Sequence, residues 1–196
     1  MQTLRSGTAV PVICAAAELS EDGMEMLASA ADARAFVERL TATRAWADAI
    51  AFLAHALPRR ESVWWAYVCA RDAAGEPPAA AYSASLEATK KWIAEPSGSN
   101  RQAALDAAEV VGIATPAGLA GLAAFLSGET LGPADAPPAP PAEFAAAKAV
   151  AGSVNLAAVN PKVGIEARYA DLVRRGIEVA DRISLWTPGT SPQARG

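Results

Sequence analysis

The segment LPRRESVWWA, residues 57–66, decides the fold class of this 196-residue chain. Pro58 fits the first position of a helix, where the missing backbone N–H group of proline costs nothing. At the helical spacing of about 100° per residue, apolar side chains then occupy every face of the segment. They are Val63, Ala66, Tyr67 and Ala70 on one face, Trp64 and Val68 on a second, and Trp65 and Cys69 on a third. A helix that is apolar all round is surrounded by protein, so this segment is predicted to be the central helix of a helical domain.

The composition of the chain also favours helices. Alanine, the residue with the highest helix propensity, makes up about a quarter of the chain. No run of residues alternates between apolar and polar as a half-buried strand would. We therefore predict an all-α protein with a single domain of about eight helices. The helices are expected to form antiparallel pairs, and either a compact bundle or a short solenoid of helix pairs fits the pattern.

The domain boundaries follow from the distribution of proline, glycine and polar residues. Residues 1–28 are predicted to form an irregular N-terminal arm, and residues 29–186 the single helical domain. Residues 128–141 are rich in proline and are predicted to form a stiff connection along the surface, with a proline-rich ligand for a partner as the alternative interpretation. The polar residues 187–196 are predicted to be a disordered tail.

Several helix starts are indicated by capping residues. Asp32 and Thr43 are expected to cap the helices that follow them, because their short side chains can accept hydrogen bonds from the N–H groups of a first turn. Ser99 with Gln102 has the spacing of a capping box. Thr115, which is followed by a proline, predicts a further helix start.

Two arginines stand at an unfavourable place in the central helix. The N-terminal end of a helix carries partial positive charge, so Arg59 and Arg60 need a compensating negative group. The interpretation that we favour is that carboxylates of neighbouring helices, or Glu61 itself, provide this compensation. The alternative is a binding site for an anion or an acidic partner.

Three tryptophans are the other binding candidates. Trp64, Trp65 and Trp92 lie in predicted helices, and a groove lined by such side chains would suit a small ligand or a peptide. Large aromatic side chains more often fill the interior, and this is the interpretation that we favour for Trp65. Together with the two arginines and Glu61, the three tryptophans are the candidate binding residues of the chain.

The charge pattern argues against a nucleic-acid-binding protein. The chain has 17 lysines and arginines and 21 aspartates and glutamates, which gives a net charge of −4. Basic residues are interleaved with acidic ones, even late in the chain where arginines are frequent. This interleaving is typical of a solvated helix face with ion pairs rather than of a basic stripe. No nucleic-acid partner is therefore predicted.

The cysteines and the apolar runs bear on the location of the protein. Cys14 and Cys69 are too few for a disulfide framework, and a reducing compartment is the simplest setting for them. No apolar run approaches the roughly 18 residues of a membrane-spanning helix. The short run at residues 10–17 lacks the basic region of a signal peptide. We predict a cytoplasmic protein without membrane insertion.

The residue sets of common catalytic and metal sites are not found in the sequence. His55 is the only histidine, and it cannot form a zinc site of the usual type with two cysteines that are far apart. Gly118 and Gly121 lie in a predicted helix, without the strand, the loop and the lysine of a phosphate-binding motif. No catalytic residue, metal or cofactor is predicted.

Several motifs together resemble an uncharacterised family of bacterial all-helical proteins. They are the LPRRE-x-VWW segment, Trp92 before Pro96, Arg101 with Ala103 and Ala104, and the GETLGP stretch ahead of the alanine-rich helix. The resemblance covers roughly residues 42–158, and the sequence Ser-Gly-Glu at residues 127–129 departs from the Ser-Gly-Gly of the family. It implies a helical fold and, through an association of the family with type VI secretion loci, an accessory role. It implies no activity.

The sequence therefore predicts a non-catalytic interaction protein, an adaptor or accessory factor of a larger bacterial assembly such as a secretion system. Its predicted partner is another protein. Two alternatives stay open. One is a helical module that binds a small ligand or a peptide, and the other is an enzyme that acts on an anionic substrate with Arg60, Glu61 and Tyr67.

Overall fold

The computed structural model describes residue 4 and residues 8–76, 78–132, 137–159 and 164–187, and ten helices lie in these ranges. They are α1 (Val10–Ala16), α2 (Glu21–Ala28), α3 (Ala33–Ala42), α4 (Trp46–Ala56), α5 (Arg59–Ala73), α6 (Ala80–Ala94), α7 (Gly98–Val111), α8 (Pro116–Leu126), α9 (Ala145–Ala158) and α10 (Ile165–Arg182). The all-α prediction is confirmed. The described residues form more helices than the roughly eight that the apolar periodicity indicated.

Helix α5 lies at the centre of the domain, as its sequence predicts. It packs against α6, α8, α9 and α10. From Ser62 to Ala70 its residues are buried, with Trp64 as the half-buried exception. Trp65 is fully buried, and its indole Nε1 donates a 2.9 Å hydrogen bond to the carbonyl of Leu172 in α10. The neighbouring helices therefore cover the apolar faces of α5 on all sides.

Contacts between helices that are far apart in the sequence identify a compact bundle. Helix α4 packs against α9 and α10, and α8 packs against α5, α6, α7 and α9. In a solenoid each helix pair contacts only its neighbours along the chain. The solenoid alternative is therefore wrong.

The N-terminal region contains two helices where an irregular arm was predicted for residues 1–28. Val10, Ile13 and Cys14 of α1 are buried in the same core as α4, and α2 packs against α3. Pro11 lies in the first turn of α1, where proline is tolerated because the N–H group it lacks has no partner within the helix. The prediction of an irregular arm is corrected accordingly.

The capping predictions are confirmed at two of four positions. Asp32 and Thr115 cap α3 and α8, and each side chain accepts a hydrogen bond from an N–H group of the first turn, at 2.8 and 3.0 Å. Helix α7 is capped by Ser97 and not by Ser99. Thr43 ends α3 and does not begin α4, because its hydroxyl donates a 3.0 Å hydrogen bond to a carbonyl one turn earlier.

The connection between α8 and α9 is described in part. Residues 128–132 and 137–141 are not helical. Residues 133–136 of the proline-rich connection and residues 188–196 of the predicted tail lie outside the described residues.

Candidate functional site

The two arginines at the start of α5 contact the C-terminal ends of two other helices. Arg60 Nε donates a 2.6 Å hydrogen bond to the carbonyl of Ile93 in the last turn of α6. Arg59 Nη1 donates a 3.3 Å hydrogen bond to the carbonyl of Ser127, the residue at which α8 ends. Carbonyl groups at a helix C-terminus lack partners within the helix and carry partial negative charge. Backbone carbonyls therefore compensate the two arginines, where the sequence analysis expected carboxylates.

Trp64 lines a groove between α5 and α10. The groove encloses about 210 Å³, and its apolar walls come from the half-buried indole of Trp64 and from aliphatic side chains of α6 and of the C-terminal end of α10. Charged side chains of α5 and α10 stand beside these walls. We call this surface the Trp64 groove. Its residues are Arg60, Glu61, Trp64, Ile93, Val179, Arg182 and Ile183.

Two guanidinium groups give the Trp64 groove an excess of positive charge. The Cζ atom of Arg182 lies 5.9 Å from the centroid of the Trp64 ring, which is a cation–π contact. Arg60 binds backbone carbonyls of α6. In the part of the chain that the structure describes, neither arginine forms an ion pair, and Glu61 is the only carboxylate among the groove residues.

A second cavity of about 240 Å³ adjoins the groove and shares Arg182 with it, and its other two arginines are already paired. Arg174 contacts Asp171 at 2.5 Å and also Glu178. Arg175 contacts Asp171 at 3.0 Å and also Asp72. Burial alone would raise the pKa of the Asp171 carboxyl, but the contacts with Arg174 and Arg175 outweigh it and lower this pKa. Apart from the shared Arg182, the charged side chains of this cavity are therefore paired within the protein, unlike the guanidinium groups of the Trp64 groove.

The other candidate residues lie outside the Trp64 groove. Trp65 and Trp92 are 0% and 5% exposed and belong to the hydrophobic core, so neither side chain lines a surface groove. Arg59 lines a different cavity, near the start of α9. Tyr67, which the enzyme alternative requires, is 8% exposed and packs in a smaller core cluster with Leu86. Of the candidate binding residues, only Arg60, Glu61 and Trp64 come together in the groove.

Arg182 is the one charged groove residue that is not among the candidates from the sequence. It belongs to the late arginines that were interpreted as an ion-paired helix face, an interpretation that fits Arg174 and Arg175. Arg60 and Trp64 are four residues apart and therefore share one face of α5. No local signal connects that face with Arg182, because the packing of α10 on α5 is a tertiary contact.

Residues 36–180 of the chain match the model of a family of unknown function, DUF6931. The chain belongs to this family. The predicted resemblance to an uncharacterised family is therefore confirmed. Comparison with curated proteins and with solved structures gives no match. In this DUF6931 protein the family match includes α5 and the Trp64 side of the groove.

The described ranges of this DUF6931 protein contain neither a membrane-spanning helix nor a cluster of metal ligands. None of the helices there combines the length and the apolar character that crossing a bilayer requires. No group of three or more histidine, cysteine, aspartate or glutamate residues lies close enough together there to hold a metal ion.

The two cysteines of the DUF6931 protein are expected to resist thiol reagents. Cys14 and Cys69 are buried free thiols, and burial raises the pKa of each to about 12. Because only the thiolate reacts, dithiodipyridine should label the native protein at least ~100-fold more slowly than an exposed Ser99→Cys thiol. Both native thiols should react rapidly in guanidinium chloride. Labelling of the native protein as fast as the variant would contradict the buried positions.

Proposed function

We propose that this DUF6931 protein is a non-catalytic interaction protein that binds an acidic segment of a partner protein in the Trp64 groove. The observation that carries the proposal is the pair of guanidinium groups, those of Arg60 and Arg182, which line an apolar groove and form no ion pair among the described residues. Arginine and tryptophan are the residue types that most often dominate the binding energy of protein interfaces.

The dimensions and the chemistry of the groove define the segment that fits it. A cavity of about 210 Å³ with aliphatic walls and an indole has room for one large apolar side chain. The guanidinium groups of Arg60 and Arg182 suit carboxylates, which they bind through charge-assisted hydrogen bonds. The fitting segment therefore carries one leucine or phenylalanine flanked by aspartate or glutamate residues.

The setting that we propose rests on the family resemblance. The LPRRE-x-VWW segment resembles a bacterial family associated with type VI secretion loci, and this supports an adaptor or accessory factor of such an assembly. We also propose a cytoplasmic location, supported by two free cysteines that a reducing compartment would keep as thiols.

Charge reversal in the groove is expected to remove the partner. We expect affinity purification from the native host, measured by quantitative mass spectrometry, to recover one stoichiometric partner with the wild-type protein. The Arg182→Glu variant should recover at least about tenfold less, because it replaces attraction with repulsion of an acidic segment. Arg44→Glu is the matched control, since Arg44 is exposed and pairs with Glu166 at the opposite end of α10. Equal recovery with all three proteins would contradict the proposal.

A direct titration tests the chemistry of the segment. The probe is a synthetic peptide of sequence Asp-Glu-Leu-Phe-Asp-Glu, with a lysine-substituted peptide as the control. We expect the acidic peptide to shift the indole N–H resonance of Trp64, assigned with a Trp64→Phe variant, and to leave that of the buried Trp65 unchanged. Arg182→Glu should abolish the shift. A response to the lysine peptide, or a shift that survives the charge reversal, would overturn the acidic-segment proposal.

A further inference from the structure

A third and larger cavity lies where α4 ends, α5 begins and α9 begins. It encloses about 470 Å³. Its apolar lining includes Leu57, Leu126 and Phe144, and its polar lining includes His55 and Arg59. None of its lining residues belongs to the Trp64 groove, so whatever occupies this cavity is independent of the proposed partner segment.

His55 has a buried nitrogen atom that the protein does not use. The side chain is 8% exposed, and Nδ1 lies 2.7 Å from the carbonyl oxygen of Ala51. A carbonyl only accepts hydrogen bonds, so Nδ1 is the protonated nitrogen of the ring. Nε2 is buried and has no hydrogen-bond partner among the described residues. Buried polar atoms are almost always paired, so an unpaired Nε2 on a side chain that lines the cavity leaves a hydrogen-bonding position open there.

The start of α9 contributes further donors to the same cavity. Ala145, Ala146 and Ala147 form the first turn of this 14-residue helix and line the cavity. First-turn N–H groups have no acceptor within the helix, and they carry partial positive charge. The N–H group of Ala145 donates a 3.1 Å hydrogen bond to the carbonyl of Ala142, and Phe144, the residue before the helix, provides no side-chain acceptor for those of Ala146 and Ala147. The N-terminal end of α9, Arg59 and His55 therefore line one cavity.

The charges near His55 favour a negatively charged ligand. Lys148 of α9 and Glu18, in the turn after α1, form an ion pair at 2.5 Å and offset each other. Glu143 lines the cavity but is exposed to solvent. Arg59, also exposed, is the lining cation, and the N-terminal end of α9 adds to its positive field. A carboxylate would be attracted by Arg59 and by the N-terminal end of α9.

We propose that this cavity binds a small organic monocarboxylate, with hydrogen bonds from His55 and Arg59 to the carboxylate and contacts of its apolar body with Leu57, Leu126 and Phe144. Neutral His55 has no proton on Nε2, so binding requires the imidazolium form. Burial, and secondarily the charge of Lys148, lowers the pKa of free His55, although the bond to Ala51 opposes this. A bound carboxylate raises that pKa again, and binding is therefore coupled to proton uptake.

The pH dependence of benzoate binding tests the proposal. Because only the imidazolium donates from Nε2 and the pKa of His55 is below its usual 6.5, benzoate should bind at least about tenfold more tightly at pH 5.5 than at pH 7.5. His55 is the only histidine, so its ring resonances report its pKa directly, and benzoate should raise this pKa. Benzyl alcohol and benzylamine have a similar shape but no carboxylate, so they should not raise the pKa of His55. A pH-independent affinity, or a response to either control, would overturn the proposal.

Three variants test the roles of the lining residues by ligand-observed NMR with benzoate at pH 5.5. Arg59→Gln should weaken binding about tenfold, the loss expected for one charge-assisted hydrogen bond. Glu143→Gln should strengthen it about twofold to fivefold, because it removes a repelling carboxylate. Arg44→Gln, at the opposite end of α4, should leave it unchanged. Each variant is first compared with the wild type by circular dichroism. If Arg59→Gln and Arg44→Gln have equal effects, Arg59 does not bind the carboxylate and the proposal fails.

Discussion

Replacement of Trp65 by alanine is expected to lower the free energy of unfolding by about 3–5 kcal/mol. The indole is fully buried, and its loss leaves a cavity that the surrounding helices can close only in part. The substitution also removes the donor of the 2.9 Å hydrogen bond to the carbonyl of Leu172, one of the links between α5 and α10. Domains are typically stable by about 5–15 kcal/mol, so the alanine variant should unfold at much lower urea concentration than the wild type.

The neighbouring tryptophan provides the control for this prediction. Trp64 is of the same residue type, on the same helix, and half-buried, so Trp64→Ala should cost no more than about 1–2 kcal/mol. Trp65→Phe keeps most of the buried volume and should cost about 1–3 kcal/mol, mainly for the lost hydrogen bond to the carbonyl of Leu172. Unfolding is followed by far-ultraviolet circular dichroism, because tryptophan fluorescence changes with the substitutions. Equal losses for the two alanine variants would contradict the central position of Trp65.

The burial of Trp65 could be predicted from the sequence, but its partner could not. The apolar residues on all faces of α5 require other helices around it, and the structure places them there. The sequence does not say which helix covers the indole. The answer lies at Gly176 of α10, where an added Cβ atom would lie 2.8 Å from Cζ2 of Trp65. Only a glycine at this position lets α10 approach the ring so closely. The contact between Gly176 and Trp65 joins residues that are far apart in the sequence, so no local pattern predicts it.

Capping residues predict a helix start correctly where the sequence offers only one capping position. Asp32 and Thr115 are followed directly by helical residues, and both cap as predicted. Ser97 and Ser99 offer two helix starts of similar quality, and the sequence alone does not choose between them. Helix α1 could not be predicted for a different reason, because the burial that stabilises it comes from contacts with α4 and not from its own sequence.

The candidate site was predictable only on its α5 side. The positions of Arg60, Glu61 and Trp64 follow from the helix that contains them. The carbonyls that compensate Arg60, and the Arg182 guanidinium over the indole, come from α6 and α10. Helix ends provide no side-chain signal for their carbonyl groups. This is why the sequence analysis expected carboxylates as the partners of the two arginines.

Replacement of Gly118 by alanine is expected to lower the free energy of unfolding by about 2–3 kcal/mol. A Cβ atom at this position of α8 would collide with the carbonyl oxygen of Gly112 and lie 3.0 Å from the Cα atom of Ile113. Both are backbone atoms of the turn between α7 and α8. The turn is fixed in place, because Thr115 Oγ1 donates a 2.8 Å hydrogen bond to the same carbonyl of Gly112. The collision therefore cannot be relieved by a rotation of a side chain.

Gly98 offers the same substitution without the collision. It is the first residue of α7, and a Cβ atom there would meet no other atom within 4 Å. Alanine has the higher helix propensity, so Gly98→Ala should leave the stability unchanged or raise it by up to about 1 kcal/mol in urea unfolding. If the free energy of unfolding falls for Gly118→Ala and rises for Gly98→Ala, the loss at Gly118 is due to close packing and not to helix propensity. A stabilising Gly118→Ala would mean that the turn before α8 is more open than in the structure, and that Gly118 has no role in bringing α7 and α8 together.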